Sequence, residues 1–184
     1  MPKVVYYTAT TFNGFIATED NSLEWLFEVG SPDAVDFGSF LEGIDVLVSG
    51  STTYEWVYDH ENLAEDPEKW REFYGERPTF VFTSRKLPAP EGADVRFVNG
   101  SVRDHLEAIR GAADDGDVWV IGGGDLAGQF LDAGALDQLQ ITLTPVALTG
   151  GAPLFPREIR SDRLELRSAE KFGQFAHLTY DVKK

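Results

Sequence analysis

The densest chemistry in this sequence lies in VWVIGGGDLAGQF, residues 118–130, where four apolar residues run into three glycines and a helical pattern follows. Glycine lets a backbone approach a bound phosphate closely, and the first-turn amides of a helix carry partial positive charge. A strand, glycines and a helix in that order therefore suit an anion. Gly122, Gly123, Gly124, Asp125, Leu126 and Ala127 formally match the dinucleotide fingerprint G-x-G-x-x-A. A doubly wound dinucleotide fold places that fingerprint in its first βαβ unit, with an acid about 20 residues on for the ribose. Here the motif starts at residue 122, and no Asp or Glu occurs between Asp137 and Glu158. That reading fails both tests. A strand-to-helix turn with glycines for packing is the plain alternative, and the motif alone does not separate it from a phosphate site.

Other chemistries lack their residues. The absence of cysteine removes disulfides, thiolate nucleophiles and Cys-ligated zinc. His60, His105 and His177 are isolated, without ligand spacing for zinc. No G-x-S-x-G elbow exists for a serine hydrolase. Asp114, Asp115, Gly116 and Asp117 resemble part of a calcium loop, but the remaining spacing and the bidentate Glu are missing. They read as a helix-to-strand turn.

The elements that must position the glycines follow from pattern. Residues 3–11 are rich in strand formers; Ser31, Pro32 and Asp33 suit a helix entry, with residues 34–41 helical behind them. Residues 44–48 read as a buried strand ending at Ser49 and Gly50. Residues 52–57 and 67–74 read as helices, and residues 79–82 and 95–98 as strands. Residues 101–113 form a helix in which Ser101 and Asp104 make a capping box. A strand over 117–121, a helix over 125–133 and a strand over 136–143 continue the alternation. Such alternation implies βαβ units and a largely parallel sheet. The tail differs: residues 164–172 and 175–182 are strand-like runs joined by Gly173 and Gln174, an antiparallel hairpin at the sheet edge. The expectation is one α/β domain over residues 1–184, with a mixed, mainly parallel sheet.

Composition sets further bounds. Thirty-one acidic against 16 basic residues give a formal charge of −15, which repels phosphate backbones and anionic membranes, so neither nucleic acid nor membrane is expected as a partner. No apolar run approaches the ~20 residues of a membrane span, and MPKVVYYTAT lacks the apolar core of a signal peptide. With no cysteine, a cytoplasmic location is expected. Any anionic ligand must find a local nest of amides and arginines.

Four groups of residues, in order, carry a resemblance. Thr11-Phe12-Asn13-Gly14-Phe15-Ile16-Ala17 is similar to S-L-D-G-x-I-A, Ser49-Gly50-Ser51-Thr52-Thr53-Tyr54-Glu55 to G-R-x-T-Y-E, and Phe82-Thr83-Ser84-Arg85 to a strand-end S-R. The glycine unit continues into Phe130-Leu131, Ala135-Leu136-Asp137-Gln138-Leu139, Leu143-Thr144-Pro145-Val146 and Gly150-Gly151-Ala152-Pro153-Leu154-Phe155. Together these resemble the dihydrofolate reductase superfamily, and within it the branch containing the C-terminal reductase domain of the bifunctional riboflavin-biosynthesis protein. The match runs from about residue 3 to residue 182.

The resemblance implies a three-layer fold, NADPH as cofactor and a cis peptide between Gly122 and Gly123. It implies that two glycines serve the bend while Gly124 admits the pyrophosphate to the helix behind it. Ala9 and Ile16 would line the nicotinamide, with main-chain atoms of Ala9 on its carboxamide. Gly50, Ser51, Thr52 and Thr53 would touch the phosphates, and Thr83, Ser84 and Arg85 would lie by the adenosine. Ile121, Gly122, Gly123, Gly124, Asp125 and Leu126 complete the cofactor contacts. Plain readings stand beside these: Ala9 and Ile16 as core, Thr52 and Thr53 as helix caps, Arg85 as a solvated loop residue.

Two departures touch the cofactor and one the chemistry. The arginine of G-R-x-T is Ser51 here, so a 2′-phosphate would rest on Arg85, with Lys86 or Arg103 helping. Asp125 puts a carboxylate beside the expected phosphate. The S-L-D-G aspartate is Asn13, assigned with Trp25 to the substrate, the latter as a stacking ring or as core. For the proton, the acids near the N-terminal loop are Glu24, Asp33 and Asp36, none at a clean family spacing.

The activity implied is an NADPH-dependent reductase of a small planar heterocycle, similar to 5-amino-6-(5-phosphoribosylamino)uracil reductase or dihydrofolate reductase. One alternative is a relative that binds cofactor or pterin without catalysis. Another is an interaction module, a homodimer pairing through residues 145–155 and the C-terminal strands. A reductase needs an open cleft beside the glycines; an interaction module fills it with side chains such as Trp25 or Phe12.

Overall fold

The computed structural model describes residues 1–30 and 37–184. In chain order the elements are β1 (Val4–Thr11), β2 (Phe15–Ala17), α1 (Glu24–Glu28), α2 (Phe37–Glu42), β3 (Ile44–Gly50) and α3 (Ser51–His60). Then come α4 (Glu68–Tyr74), β4 (Thr79–Phe82), β5 (Val95–Val98), α5 (Val102–Gly111), β6 (Asp117–Gly122) and α6 (Gly124–Asp132). The chain ends with β7 (Gln138–Thr144), β8 (Ala152–Pro153), a 3-10 turn (Ser161–Arg163), β9 (Leu164–Phe172) and β10 (Phe175–Val182). The strands expected from pattern are all present. The short β2 and β8 and helix α1 were not legible from periodicity. The helix entry at Ser31, Pro32 and Asp33 lies outside the described residues, as do the acids Asp33 and Asp36.

One eight-stranded sheet runs in the order β5-β4-β3-β6-β1-β7-β10-β9. The first six of these pair in parallel, and β10 pairs antiparallel with both β7 and β9. Strand alternation sends Tyr6, Val46, Val48, Phe80, Val118 and Val120 to one face, where α5 and α6 cover them. Leu47, Val81, Trp119 and Tyr7 go to the other, under α2, α3 and α4. A parallel sheet covered on both faces needs near-continuous apolar strands, and IDVLV and DVWVI supply them. The result is the expected three-layer α/β fold, with a mainly parallel sheet and an antiparallel hairpin at its edge.

The register of β1 shapes the centre of the sheet. It pairs with β6 only from Val4 to Tyr6, but with β7 all the way from Val5 to Thr11. The two central strands thus part after Tyr6. The Lys3 carbonyl accepts from the Val118 amide and the Val4 carbonyl from the Asp137 amide, so odd-numbered residues of β1 address β6 and even-numbered ones address β7. Beyond the parting, Tyr7 is answered by a side chain, the Trp119 indole donating to its carbonyl at 3.1 Å. Ala9 then turns its amide and carbonyl toward the gap.

Elsewhere, tails and turns are fastened by polar side chains. The Asp104 carboxylate accepts from the Ser101 amide at 2.9 Å and from its hydroxyl at 2.8 Å, closing the start of α5. Asp45 accepts from the amides of Asp114 (2.9 Å) and Gly116 (2.7 Å), which makes the acidic stretch a latched turn. Arg77 donates to the carbonyls of Ile44 (2.6 Å), Tyr74 (2.8 Å) and Leu41 (2.7 Å), joining β3 to the ends of α2 and α4. A planar fork suits three such acceptors and an ammonium does not. Arg77→Met leaves three carbonyls without their donor, and urea unfolding is expected to show a loss of about 2–3 kcal/mol, with Arg77→Lys recovering only part.

Candidate functional site

Where β1 and β6 part, a cleft of ≈ 640 Å³ opens at the carboxyl ends of β1, β3 and β6. This is the place where an α/β sheet ordinarily holds its ligand. Two helices begin on it. The N-cap of α3 is Gly50 and that of α6 is Gly123, both extended and neither followed by a side-chain cap. The two caps are adjacent: a Cβ on Gly50 would stand 3.6 Å from the Gly122 carbonyl oxygen and 3.7 Å from the Gly123 nitrogen. Helices normally fill their first-turn amides with a Ser, Thr, Asp or Asn cap. Here two sets of amides, with their partial positive charge, face one cleft.

The three glycines meet three different demands. Gly122 has φ +155°, a backbone conformation side chains rarely adopt, and it is joined to Gly123 by a cis peptide. Gly123 faces the cleft, and a Cβ there would meet only Ile16 Cδ1 at an ordinary 3.8 Å. Gly124 is packed against backbone: a Cβ would coincide with the carbonyl oxygens of Pro153 and Leu154. Packing alone therefore demands glycine at 124, beside the expectation that it admits a phosphate. β8 occupies that side, and Gly123 presents the bare surface.

Residues Ala9, Ile16, Gly50, Ser51, Thr52 and Thr53 all line the cleft, as do Ile121 through the glycines to Asp125 and Leu126. Asp125 does not stand free. Its carboxylate accepts from Gln129 Nε2 and Arg157 Nη1, each at 2.9 Å, and Arg157 Nε reaches Asp132 at 2.8 Å. Gln129's amide and the Arg157 guanidinium hold the Asp125 carboxyl below the usual carboxylate range, against a smaller opposing effect of burial. Arg157 thus offsets the acid beside the α6 amides. Nothing in the local sequence pairs residues 125 and 157; the tertiary fold does.

Other expected residues fall elsewhere. Thr83, Ser84 and Arg85 follow β4 and do not line the cleft. Arg85 grips Glu55 with both arms, Nη1 to Oε1 at 3.0 Å and Nη2 to Oε2 at 2.5 Å. Arg103 does not line the cleft and donates to the carbonyl of Asp132, the last residue of α6. Asn13 does not line the cleft: it donates to the Leu148 carbonyl at 2.7 Å and accepts from Thr11 Oγ1 at 2.8 Å, clasping the β1–β2 turn to the segment before β8. Trp25 is core, only 5% exposed, and takes no part in the cleft wall. Glu24 is exposed on α1, outside the cleft. Phe12 is 68% exposed and leaves the cleft open.

The wall beyond the glycines is aromatic, and no motif in the sequence marked it as such. Tyr7, Trp56, Tyr74 and Trp119 line it with Leu23. Burial pushes the Tyr7 phenol up, against a hydrogen bond to Thr142, and burial pushes Tyr74 up to about 12. Both rings stay neutral across the physiological range. Trp56 was within reach of sequence reasoning, since it follows Thr53 by three residues on the same helix face.

The family model of the RibD C-terminal domain matches residues 2–178. The chain belongs to this family. Uncharacterised YwjB of Bacillus subtilis is 29% identical over 178 residues, 97% of each chain. A Shewanella sp. PV-4 structure provisionally assigned to riboflavin biosynthesis has a TM-score of 0.75 at 28% identity, over 100% of both chains. Dihydrofolate reductase from Enterococcus faecalis, solved with NADP(H), has a TM-score of 0.63 at 22% identity, over 99% of this chain and 97% of the other. Gly124→Ala is expected to lower stability by about 1–3 kcal/mol, because two backbone carbonyls block the methyl. Gly123→Ala is expected to melt within a few degrees of the parent; calorimetric scans of the two variants check the contrast.

Proposed function

We propose that this RibD C-terminal domain is a cytoplasmic NADPH-dependent reductase of a small planar heterocycle, a pyrimidine or a pterin. The observation that carries the reading is the pair of glycine-capped helix N-termini, at Gly50 and Gly123, side by side on an open cleft. A dinucleotide needs such a place for its pyrophosphate, and the donors fit one: backbone amides, the hydroxyls of Ser51, Thr52 and Thr53, and no side chain on Gly123. Family membership supports a reductase, and the riboflavin assignment of the Shewanella relative supports a pyrimidine.

Bound there, a reduced nicotinamide would supply a hydride, one proton with two electrons, to an electron-poor ring carbon, with the balancing proton drawn from solvent water. The chain's own residues orient and shelter that event. Ala9, whose amide and carbonyl face the gap left by β6, holds a carboxamide by two hydrogen bonds. Ile16, opposite Gly123, packs on one face of a ring and keeps water from it. The Arg157–Asp125–Gln129 group removes the repulsion that a bare carboxylate would exert at α6. Arg85, spent on Glu55 in this structure, is the group that a 2′-phosphate has to draw away.

Calorimetric titration with NADPH and NADH tests the reading. Micromolar NADPH binding that falls about tenfold or more in Gly123→Val, with folding retained, is the expected result. Normal affinity in that variant, or no binding of either nucleotide to the parent, defeats the site assignment. Glu55→Gln should release Arg85 and raise the preference for NADPH over NADH by about 3–10-fold. An unchanged ratio means Arg85 does not read the 2′-phosphate.

A further inference from the structure

We infer that the aromatic half of the cleft takes an uncharged planar heterocycle that carries no phosphate group. This rests on the reductase reading above and goes beyond it, because the family resemblance points to a phosphoribosylated pyrimidine.

Charge decides the matter. The described cleft lining contains no Lys, Arg or His, and its one charged side chain, Asp125, is negative and already paired. Residues 31–36 read Ser-Pro-Asp-Ala-Val-Asp and add no cation. Basic residues nearby are committed to other partners. Arg77 serves three carbonyls, Arg157 bridges Asp125 and Asp132, and Lys69 donates to the Glu61 carbonyl at 3.1 Å. His60 stacks against Trp56 at 4.4 Å, lies 5.6 Å from the Phe27 ring, and has its Nε2 3.9 Å from Glu61 Oε1. A substrate phosphate in this wall would enter a molecule of net charge −15 and lose water without gaining a counter-ion. The two helix N-termini could receive an anion, but in the reductase reading the cofactor fills them.

Shape and polarity fit a flat neutral ring. Trp56 offers a ring for stacking, and Tyr7, Tyr74 and the largely buried Trp119 line the wall beside it, each aromatic contact contributing about 0.5–1.5 kcal/mol. Trp56 is held in place by the His60–Phe27 stack, which spares the ordering cost when a ligand binds. Asn21, also in the lining, offers a neutral amide that matches the lactam edge of a pyrimidine or pterin.

The test compares ligands that differ only by phosphate, on protein saturated with NADP+. The pairs are 5-amino-6-(ribosylamino)uracil with its 5′-phosphate, and 6-hydroxymethylpterin with its phosphate. Binding is read by calorimetry and by quenching of tryptophan fluorescence. In at least one pair the unphosphorylated member is expected to bind about tenfold tighter or better. Trp56→Ala should abolish that binding while NADP+ affinity stays unchanged, and Trp56→Phe should restore most of it. Equal or tighter binding of the phosphorylated members overturns the inference, as does failure of both pairs on protein that binds NADP+. If NADP+ itself does not bind, the reductase reading falls instead; the same pairs titrated onto the free protein then decide the aromatic site, with the same outcomes for and against.

Discussion

Everything functional in this fold depends on β1 and β6 parting after Tyr6. Paired parallel strands consume each other's backbone groups, and a buried amide or carbonyl without a partner costs free energy. The separation therefore has to be answered group by group. Tyr7's carbonyl is answered by the Trp119 indole, a side chain from the departing strand itself. Ala9's groups are presented to the cleft. β7 keeps β1 straight through Thr11, so the gap opens without collapse of the sheet. A second short ladder, β2 with β8, bridges over the opening and brings residues 153–154 against the start of α6. The same event thus makes the cavity, exposes donors in it and fixes one of its walls.

Electrostatics in the site is local, and the overall charge opposes it. A protein at −15 repels anions at long range, yet screening limits that repulsion to roughly 8–10 Å at physiological salt. Within that range the first-turn amides of α3 and α6 dominate, provided no nearby carboxylate stays unbalanced. Asp125 is such a carboxylate, and Arg157 reaches across α6 to balance it. Glu55 treats Arg85 in the opposite way, occupying a cation that a 2′-phosphate would otherwise use. Ser51 in place of an arginine takes the same direction. Under the proposed function, a dinucleotide's pyrophosphate would be favoured here, while its 2′-phosphate would have to compete with Glu55 for Arg85.

Much of this was legible in the sequence. Apolar runs such as IDVLV and DVWVI read as strands because both faces of a parallel sheet are covered, and the turn at Gly173 and Gln174 located the hairpin. The glycine caps at 50 and 123 could be placed because each follows a strand and precedes a helical pattern. What escaped depends on contacts between distant segments. β2 and β8 are three and two residues long, too short to carry a period. Asn13 looked like a failed acid, but its amide clasps Leu148, a partner 135 residues away. Trp25 and Trp56 are chemically alike in a one-dimensional reading; only packing shows that the first is core and the second is wall.

The three glycines show why motif spacing alone stays ambiguous. Glycine is required by backbone conformation at Gly122, by a neighbouring chain at Gly124, and by neither at Gly123, whose φ of −86° any residue adopts. A sequence cannot separate these, since the first two demands concern the protein's own stability and only the third concerns a ligand. The position whose glycine the fold does not require is the one that faces empty space between two helix N-termini. A Cβ there would make only an ordinary contact with Ile16, on the surface where the N-termini of both helices meet. Under the proposed function, glycine at that position keeps bare the surface between the two helix N-termini, and the motif then serves binding as well as the turn that carries it.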